Sequence, residues 1–228
     1  MDQLAPGTDA RLSMAEQTYA RISEKIIDGH YPPGHRLRER EISEDLAVSR
    51  IPIREALPQL EADGFIAIFP RRGAVVRAFT LKDVGELFDV RLNLEVFAAR
   101  KAAEHVANGG TSTRLAELMT AAENATAASD FPAITTFNSA IHAEIIAMSG
   151  NSLLETTMRP VLGRLRRLFA LTSERDPQAQ YREHITLCEA IHAGKPDLAA
   201  ALAYAHIELG REPSLAELSG VLPADSDQ

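Results

Sequence analysis

Hydrophobic positions near the start of the chain recur every three or four residues, which is the spacing of an amphipathic helix. This pattern covers residues 13–28 and stops at Gly29, a residue type that commonly follows a helix. A short second helix is predicted at residues 39–46. A third is predicted from Ser49, a favoured N-cap residue, to about residue 63.

The apolar spacing then changes to two short runs, at 65–69 and 74–77, which predict β-strands. Between them the sequence Pro-Arg-Arg-Gly at 70–73 has the composition of a hairpin turn. Three helices followed by a β-hairpin is the element order of a winged helix-turn-helix.

Beyond the hairpin, strand signals stop and helical spacing returns. Thr80 and Asp83 have the spacing of a helix capping box. Six helices are predicted, at 81–107, 112–128, 130–149, 152–173, 177–193 and 196–217. We expect Pro160 to kink the fourth of these helices. Gly210 and Pro213 leave open an earlier end for the last one.

The predicted fold class is therefore mostly α. An N-terminal winged helix-turn-helix, with three helices and a β-hairpin wing, is followed by a C-terminal all-α bundle of six helices. The expected divisions are a flexible tail, the winged domain, the helical domain and a second flexible tail, at residues 1–10, 11–79, 80–217 and 218–228.

The net charge of −8 argues against a nucleic-acid partner, but the charge is unevenly distributed. Residues 1–79 hold 11 Lys and Arg against 12 Asp and Glu, whereas residues 80–228 hold 13 against 20. Every basic side chain from 36 to 77 is an arginine. Such a local arginine face can bind phosphate although the whole chain is acidic.

The single cysteine, Cys188, lies inside a helical pattern, which excludes a disulfide framework and fits a reducing compartment. No apolar run approaches the length of about 18 residues that a membrane helix needs. Residues 1–10 lack the basic and apolar segments of a secretory signal. We therefore expect a cytoplasmic protein with no membrane contact.

The start of the third helix carries the side chains best suited to base recognition. Arg50 and Arg54 are four residues apart and therefore point the same way, and Ile51 lies on the same first turn. A guanidinium group can bond guanine O6 and N7 together, which contributes about 1–3 kcal/mol of discrimination. The alternative interpretation is a solvated arginine face on a small helical domain.

Further residues of this region suit the DNA backbone. Ser49 can cap its helix and also approach a phosphate, and Arg40 on the second helix suits a backbone phosphate. Arg71 and Arg72 at the hairpin tip suit phosphate or the minor groove. Gly73 lets the backbone come close.

Four runs in this half resemble the GntR superfamily of bacterial regulators. They are PPGHRL at 32–37, EISEDLAVSRIPIREAL at 41–57, LEADGF at 60–65 and RGAVV at 72–76. The resemblance covers about residues 11–79 almost without gaps. It implies that Arg40, Ser49, Arg50, Arg54 and Gly73 occupy the operator-contacting positions of the family.

Pro58 departs from the family pattern, which usually has a polar or basic residue at this position of the recognition helix. A proline there removes the hydrogen bond to the carbonyl of Arg54, at a cost of about 3 kcal/mol in an unkinked helix. We therefore predict a local kink just past the base-contacting turns. The alternative is that packing against Leu46 and Leu60 absorbs the distortion.

Three histidines of the second half, His142, His184 and His206, fall on three different predicted helices. Asn138 precedes His142 by one helical turn and shares its face. Imidazoles from facing helices can close a metal site in the centre of a bundle, and they suit zinc, nickel and other first-row metals. On spacing alone, scattered histidines are more often hydrogen-bonded core or surface residues.

Markers in the second half resemble the FCD effector domain of the FadR subfamily, and the six-helix count resembles its VanR-type branch. The markers are RLNLE at 91–95, FNSAIH at 137–142, SGN at 149–151, EH at 183–184 and His206. Many members hold a divalent metal with one Asp and three His. The resemblance implies a zinc- or nickel-like ion on the three histidines, with Asn138 at the Asp position as a neutral and weaker ligand.

The resemblance also places Arg91 on the first helix of the second domain, facing the same cavity. We expect a small carboxylic acid to bridge the metal and Arg91 as effector. The alternative is an ion pair between Arg91 and Glu95, its neighbour one helical turn later.

The functional prediction is a ligand-responsive transcription regulator, and by the habit of the family a repressor. It would bind a pseudo-palindromic operator as a homodimer. One rival is a metal-dependent hydrolytic enzyme, because His-Ala-Glu at 142–144 resembles half of the zinc deaminase signature. The cysteine half of that signature is missing, since Cys188 is alone, and we expect no enzyme. The other rival is a helical interaction module without a ligand.

Overall fold

The structure, a computed structural model, describes residues 13–172 and 176–225. Within these residues the chain divides between Ala78 and Phe79 into two compact units. The predicted fold class is confirmed, because a winged helix-turn-helix precedes an all-helical unit. The N-terminal tail predicted at 1–10 lies outside the described residues.

The first unit combines three helices with a small antiparallel sheet. Its elements are α1 (Met14–Ile27), β1 (Arg36–Leu37), α2 (Glu39–Leu46), α3 (Arg50–Ala62), β2 (Ile66–Phe69) and β3 (Gly73–Val76). The strand order is β1-β3-β2, so β3 is central, with Arg36 opposite Val75 and Ile66 opposite Val76. The two-residue strand β1 was absent from the prediction.

Local signals explain where the helices of the first unit begin and end. Ser13 forms a complete capping box with Glu16 at the start of α1. Ala47 adopts a left-handed conformation and ends α2 before α3 begins. Apolar side chains from all three helices and the sheet, including Ile22, Ile42 and Ile53, are buried together. This core holds α3 with one face turned outward.

The second unit consists of six helices within the described residues. They are α4 (Leu81–Ala107), α5 (Thr113–Ala128), α6 (Phe131–Met148), α7 (Ser152–Leu171), α8 (Pro177–His192) and α9 (Pro196–Leu218). The predicted capping box is present, since Thr80 and Asp83 make both of its hydrogen bonds. Buried alanines along α4, including Ala98 and Ala102, allow neighbouring helices to pack closely. Cys188 lies in this core, and burial raises its pKa to about 12.

One local expectation needs correction. Ser49 occupies the N-cap position of α3, but its side chain makes no capping hydrogen bond. Helix α9 ends at Leu218, close to the predicted end at 217, so the earlier end that Gly210 and Pro213 left open is not adopted. The flexible tail expected from 218 stays a prediction, and the carbonyls of 223 and 224 accept hydrogen bonds from the first turn of α4.

Two internal prolines stay within their helices. Helix α3 continues through Pro58, whose side chain is exposed, and α7 continues through Pro160. Packing of Pro58 against Leu46 and Leu60 is not supported, because both leucines are buried whereas the proline faces outward. The kinks expected at the two prolines stay predictions. Among the described helices, none is both long and apolar enough to cross a bilayer.

Candidate functional site

The outward face of α3 carries the side chains that were predicted to contact bases. Arg50, Ile51 and Arg54 are all exposed, whereas Pro52 and Ile53 between them are buried in the core of the first unit. The side chain of Ile51 is 68% exposed. The fold therefore presents one apolar and two cationic side chains together at the start of this helix.

Arg54 is held by a residue that the sequence analysis did not identify. Its Nε donates to Oε1 of Glu39, on the first turn of α2, at 2.8 Å. That hydrogen bond, opposed by partial burial, lowers the pKa of the Glu39 carboxyl group from its ordinary value. The two residues are 15 positions apart on different helices, so no helical spacing in the sequence could have connected them.

The positions predicted to contact the DNA backbone are also exposed. Nε of Arg40 on α2 lies 3.6 Å from Oε1 of Glu44, and such a surface ion pair contributes little to stability. Ser49 is exposed just before α3. Arg71 and Arg72 are exposed at the hairpin tip. Gly73 follows them with φ at 77°, a conformation that favours glycine. Arg71 also has a positive φ of 67°, which is uncommon for a residue with a side chain.

The second unit brings three predicted histidines together. His142 on α6, His184 on α8 and His206 on α9 are buried, and one ring nitrogen from each lies within 4.8 Å of the others. The Nε2 atoms of His142 and His206 are 3.4 Å apart. Two nitrogens bound to one tetrahedral zinc at about 2.0–2.1 Å would lie about 3.3–3.4 Å apart. The observed spacing fits such an ion.

Two glutamates orient these imidazole rings. Nδ1 of His142 lies 2.8 Å from Oε2 of Glu95, and Nδ1 of His206 lies 2.8 Å from Oε2 of Glu183. An ionised carboxylate only accepts, so each Nδ1 carries a proton, and in a neutral ring each Nε2 then presents a lone pair. Two lone pairs facing each other at 3.4 Å need a proton or a metal ion between them. The donor set therefore fits a cation.

Arg91 makes the ion pair that was weighed as the alternative to effector binding. Its Nε donates to Oε1 of Glu95 at 2.7 Å, and both side chains are buried. Burial alone would raise the pKa of Glu95, but Arg91 and His142 hold it well below its usual range. Glu95 therefore stays ionised and links Arg91 to the histidine cluster.

Asn138 is buried one helical turn before His142. Its amide nitrogen donates to Oε1 of Gln180 on α8 at 2.9 Å. Because the amide nitrogen is engaged, the uncharged amide oxygen is the atom of Asn138 that could bind a metal.

A small cavity of about 60 Å³ adjoins the histidine cluster within the second unit. Arg91, Asn138, Gln180 and His206 contribute polar side chains to its lining. Aromatic rings line other parts, from Phe88, Phe131 and Phe169. The guanidinium carbon of Arg91 lies 5.4 Å from the centre of the Phe88 ring and 5.9 Å from that of Phe169. The cavity is thus suited to a small anion with an apolar body.

The glutamates of this site could be anticipated only in part. Glu95 was considered as a partner of Arg91, and Glu183 as a marker next to His184, but neither as the residue that orients a histidine. The spacing of Arg91 and Glu95 was the only available signal, since the contacts of Glu183 and Gln180 join different helices. Hydrogen-bond partners of this kind depend on how the helices pack.

Comparison with known proteins gives matches in both units. Residues 14–76 match the bacterial regulatory proteins of the gntR family, and residues 86–209 match the FCD domain. The uncharacterized HTH-type transcriptional regulator YdhC of Bacillus subtilis (strain 168) is 27% identical over 195 residues, which is 83% of this chain and 86% of that protein. The gluconate operon transcriptional repressor of Bacillus licheniformis is 39% identical over 88 residues, which is 39% of this chain and 36% of the repressor.

A solved structure agrees over nearly the full length. A chain from Rhodococcus sp. RHA1, described as a GntR transcriptional regulator, superposes with a TM-score of 0.72 at 25% identity. The match covers 92% of this chain and 99% of the Rhodococcus chain. The likeness therefore includes both units.

Proposed function

The chain belongs to the gntR family of bacterial regulatory proteins and carries an FCD domain in its second unit, and on that premise we propose how it recognises DNA and what it senses. It is a DNA-binding transcription regulator. The matched families and relatives are regulators and not enzymes, which confirms the expectation of no catalytic role. The name of the gluconate relative supports repression as the direction of control.

Base recognition is assigned to the exposed start of α3, and this is the observation that carries the proposal. Arg50 and Arg54 contact guanine edges in the major groove, with Ile51 beside them. Arg40, Ser49 and the hairpin tip with Arg71, Arg72 and Gly73 hold the phosphate backbone. Two such units in a homodimer match a pseudo-palindromic operator.

The effector is a small carboxylic acid bound in the cavity of the second unit. A cavity of about 60 Å³ is larger than the roughly 10–15 Å³ that one water molecule needs, which favours a small acid. Arg91 supplies a cation, since its pair with Glu95 engages Nε and one terminal nitrogen and leaves other N–H groups of the guanidinium for an anion.

A divalent ion of the zinc or nickel type is assigned to His142, His184 and His206, with the amide oxygen of Asn138 as a fourth donor. When bound, the ion supplies a positive charge with open positions for the carboxylate of the effector. Glu95 and Glu183 hold the imidazole protons on Nδ1 and keep Nε2 ready for the metal.

The metal assignment is tested by elemental analysis of protein purified without a histidine tag. The wild-type chain should carry about one zinc- or nickel-like ion per subunit, and His142→Ala should lose it. His192→Ala is the matched control, because His192 is exposed on α8 and bonds Ser112. Equal metal content in the wild type and both variants would contradict the assignment.

The DNA-binding proposal is tested by fluorescence anisotropy on a duplex selected from a random pool by the wild-type chain. Arg54→Ala should weaken binding to the selected duplex and relax the choice at one base pair. Arg71→Ala should weaken selected and random duplexes about equally, because it contacts only the backbone. Equal losses on both duplexes for both variants would overturn this division of roles.

A further inference from the structure

Glu39 places a negative charge directly beside Arg54, one of the two arginines assigned to base recognition. It lies on the first turn of α2, its side chain is 32% exposed, and Arg54 is its partner. We propose that Glu39 is a positioning residue that fixes how Arg54 presents its guanidinium group to a base pair. This inference rests on the proposed role of Arg54 in base recognition and adds a residue that decides its specificity.

The geometry restricts Arg54 to one mode of approach. A guanidinium group can bond a base through Nε and one terminal nitrogen, or through its two terminal nitrogens. Because Nε donates to Oε1 of Glu39 at 2.8 Å, only the pair of terminal nitrogens can face guanine O6 and N7. The same bond holds a long side chain, 65% exposed, in one orientation before DNA arrives.

Glu39 positions Arg54 for base recognition, but its negative charge lowers the affinity of the protein for DNA of any sequence. A carboxylate close to the DNA surface repels phosphates, and it does so on every sequence. Glu39 therefore weakens binding to random DNA while it strengthens the preference of Arg54 for its base. If Glu39 only stabilised α2, its replacement would not raise the affinity for random DNA while lowering the preference for the selected base.

The test uses the full-length chain with two duplexes. One carries a site selected by the wild-type chain from a random pool, and the other is a random sequence of equal length. Glu39→Gln should bind the random duplex more tightly but lose about fivefold to tenfold in the ratio of selected to random affinity. The lost discrimination should fall on the base pair that Arg54→Ala also ceases to distinguish.

Two further variants separate positioning from charge. Glu39→Asp keeps the charge but shortens the side chain. The ratio of selected to random affinity should therefore fall as far as in Glu39→Gln, while the affinity for the random duplex stays unchanged. Glu44→Gln removes a charge from the same helix, 3.6 Å from Arg40 and outside the Arg54 pair, so it should raise both affinities and keep the ratio. Thermal melting of each variant verifies folding.

A double variant decides the matter. In an Arg54→Ala background, Glu39→Gln should leave the selected-to-random ratio unchanged, since there is no guanidinium group to position. An unchanged ratio in the single Glu39→Gln variant, or an equal loss in the Arg54→Ala background, would overturn the inference. If the wild-type chain selects no DNA at all, the proposed function itself fails, which is a distinguishable result.

Discussion

At the residue scale, the base-recognition proposal assigns a role to the exposed apolar side chain of Ile51. The side chain of Ile51 is 68% exposed at the start of α3, and it lies between Arg50 and Arg54, which are exposed as well. In the major groove the C5-methyl group of thymine is the apolar feature that distinguishes a base pair. We therefore expect Ile51 to contact a thymine methyl group next to the guanines that the arginines contact.

The prediction for Ile51 is tested by removing one methyl group from the DNA. Replacing the contacted thymine by deoxyuridine should weaken wild-type binding about fourfold, from roughly 0.8 kcal/mol for one buried methyl-sized group. Ile51→Ala should bind both duplexes equally. Anisotropy titrations with uracil at each thymine in turn provide the measurement, and a wild-type chain indifferent to every replacement would contradict the contact.

At the histidine cluster, Glu95 has two roles that one substitution should reveal. It neutralises buried Arg91 and it accepts from Nδ1 of His142. Glu95→Gln leaves a buried cation without its counter-ion, so the free energy of unfolding of the second unit should fall by about 3 kcal/mol. Metal affinity should fall about 10- to 100-fold. Urea denaturation and a metal titration measure the two effects.

Glu183→Gln is the matched control for Glu95→Gln. Glu183 also holds a histidine Nδ1, at 2.8 Å from His206, but its side chain is 23% exposed whereas that of Glu95 is 5% exposed. Glu183→Gln should therefore reduce metal affinity with a much smaller loss of stability. Equal losses of stability in the two variants would show that the buried pair with Arg91 does not decide the energetics.

At the scale of elements, the sequence predicted most of the fold because several helices have local signals at their ends. Thr80 with Asp83 at the start of α4, and Gly29 after α1, are read directly from residue types. The two-residue strand β1 was missed, since its pairing with β3 is a tertiary contact. Helix α9 continues past Pro213 to Leu218, as the prediction of a helix at 196–217 required, and Leu218 is fully buried.

Ser13 and Ser49 provide a matched comparison of helix caps within the first unit. The side chain of Ser13 accepts a hydrogen bond from the backbone of Glu16, whereas that of Ser49 makes no capping bond. Ser13→Ala should therefore lower the free energy of unfolding by about 1 kcal/mol and leave DNA affinity unchanged. Ser49→Ala should do the reverse, because its hydroxyl is assigned to a phosphate.

Thermal unfolding and anisotropy on the selected duplex measure the two serine variants together. A loss of stability in Ser49→Ala equal to that in Ser13→Ala would mean that Ser49 caps α3 in solution. The comparison also shows the limit of cap prediction from sequence. Residue type identified Ser49 as the N-cap of α3, but only the backbone and side-chain geometry tells whether the hydrogen bond is made. The capping box of Ser13 with Glu16 was not predicted.

At the scale of the whole molecule, an acidic chain binds DNA because its charges are separated along the sequence. The net charge of −8 comes mainly from residues 80–228, which hold 13 basic against 20 acidic residues. The first unit is nearly neutral, and its arginines are concentrated between 36 and 77.

Regulation requires the effector to favour one state of the protein, since an acid with equal affinity for both states changes nothing.

The effector proposal therefore predicts reciprocal coupling between acid and operator. If a small acid lowers operator affinity by some factor, operator DNA must lower the affinity for that acid by the same factor, typically about 5- to 150-fold. Acetate, oxalate, pyruvate and lactate are small carboxylic acids and serve as the test panel. Operator affinity is measured by anisotropy with and without each acid, and acid affinity by calorimetry with and without operator.

Two changes should remove this coupling without preventing DNA binding. Under the effector proposal, removal of the metal eliminates the charge assigned to the carboxylate. Arg91→Lys keeps a cation opposite Glu95 but loses the planar pair of donors. The metal-free protein and the Arg91→Lys variant should each bind operator with an affinity that the acid does not change. If instead no acid in the panel binds the metal-loaded wild type, or binding leaves operator affinity unchanged, the second unit acts as an interaction module and not as a sensor of small acids.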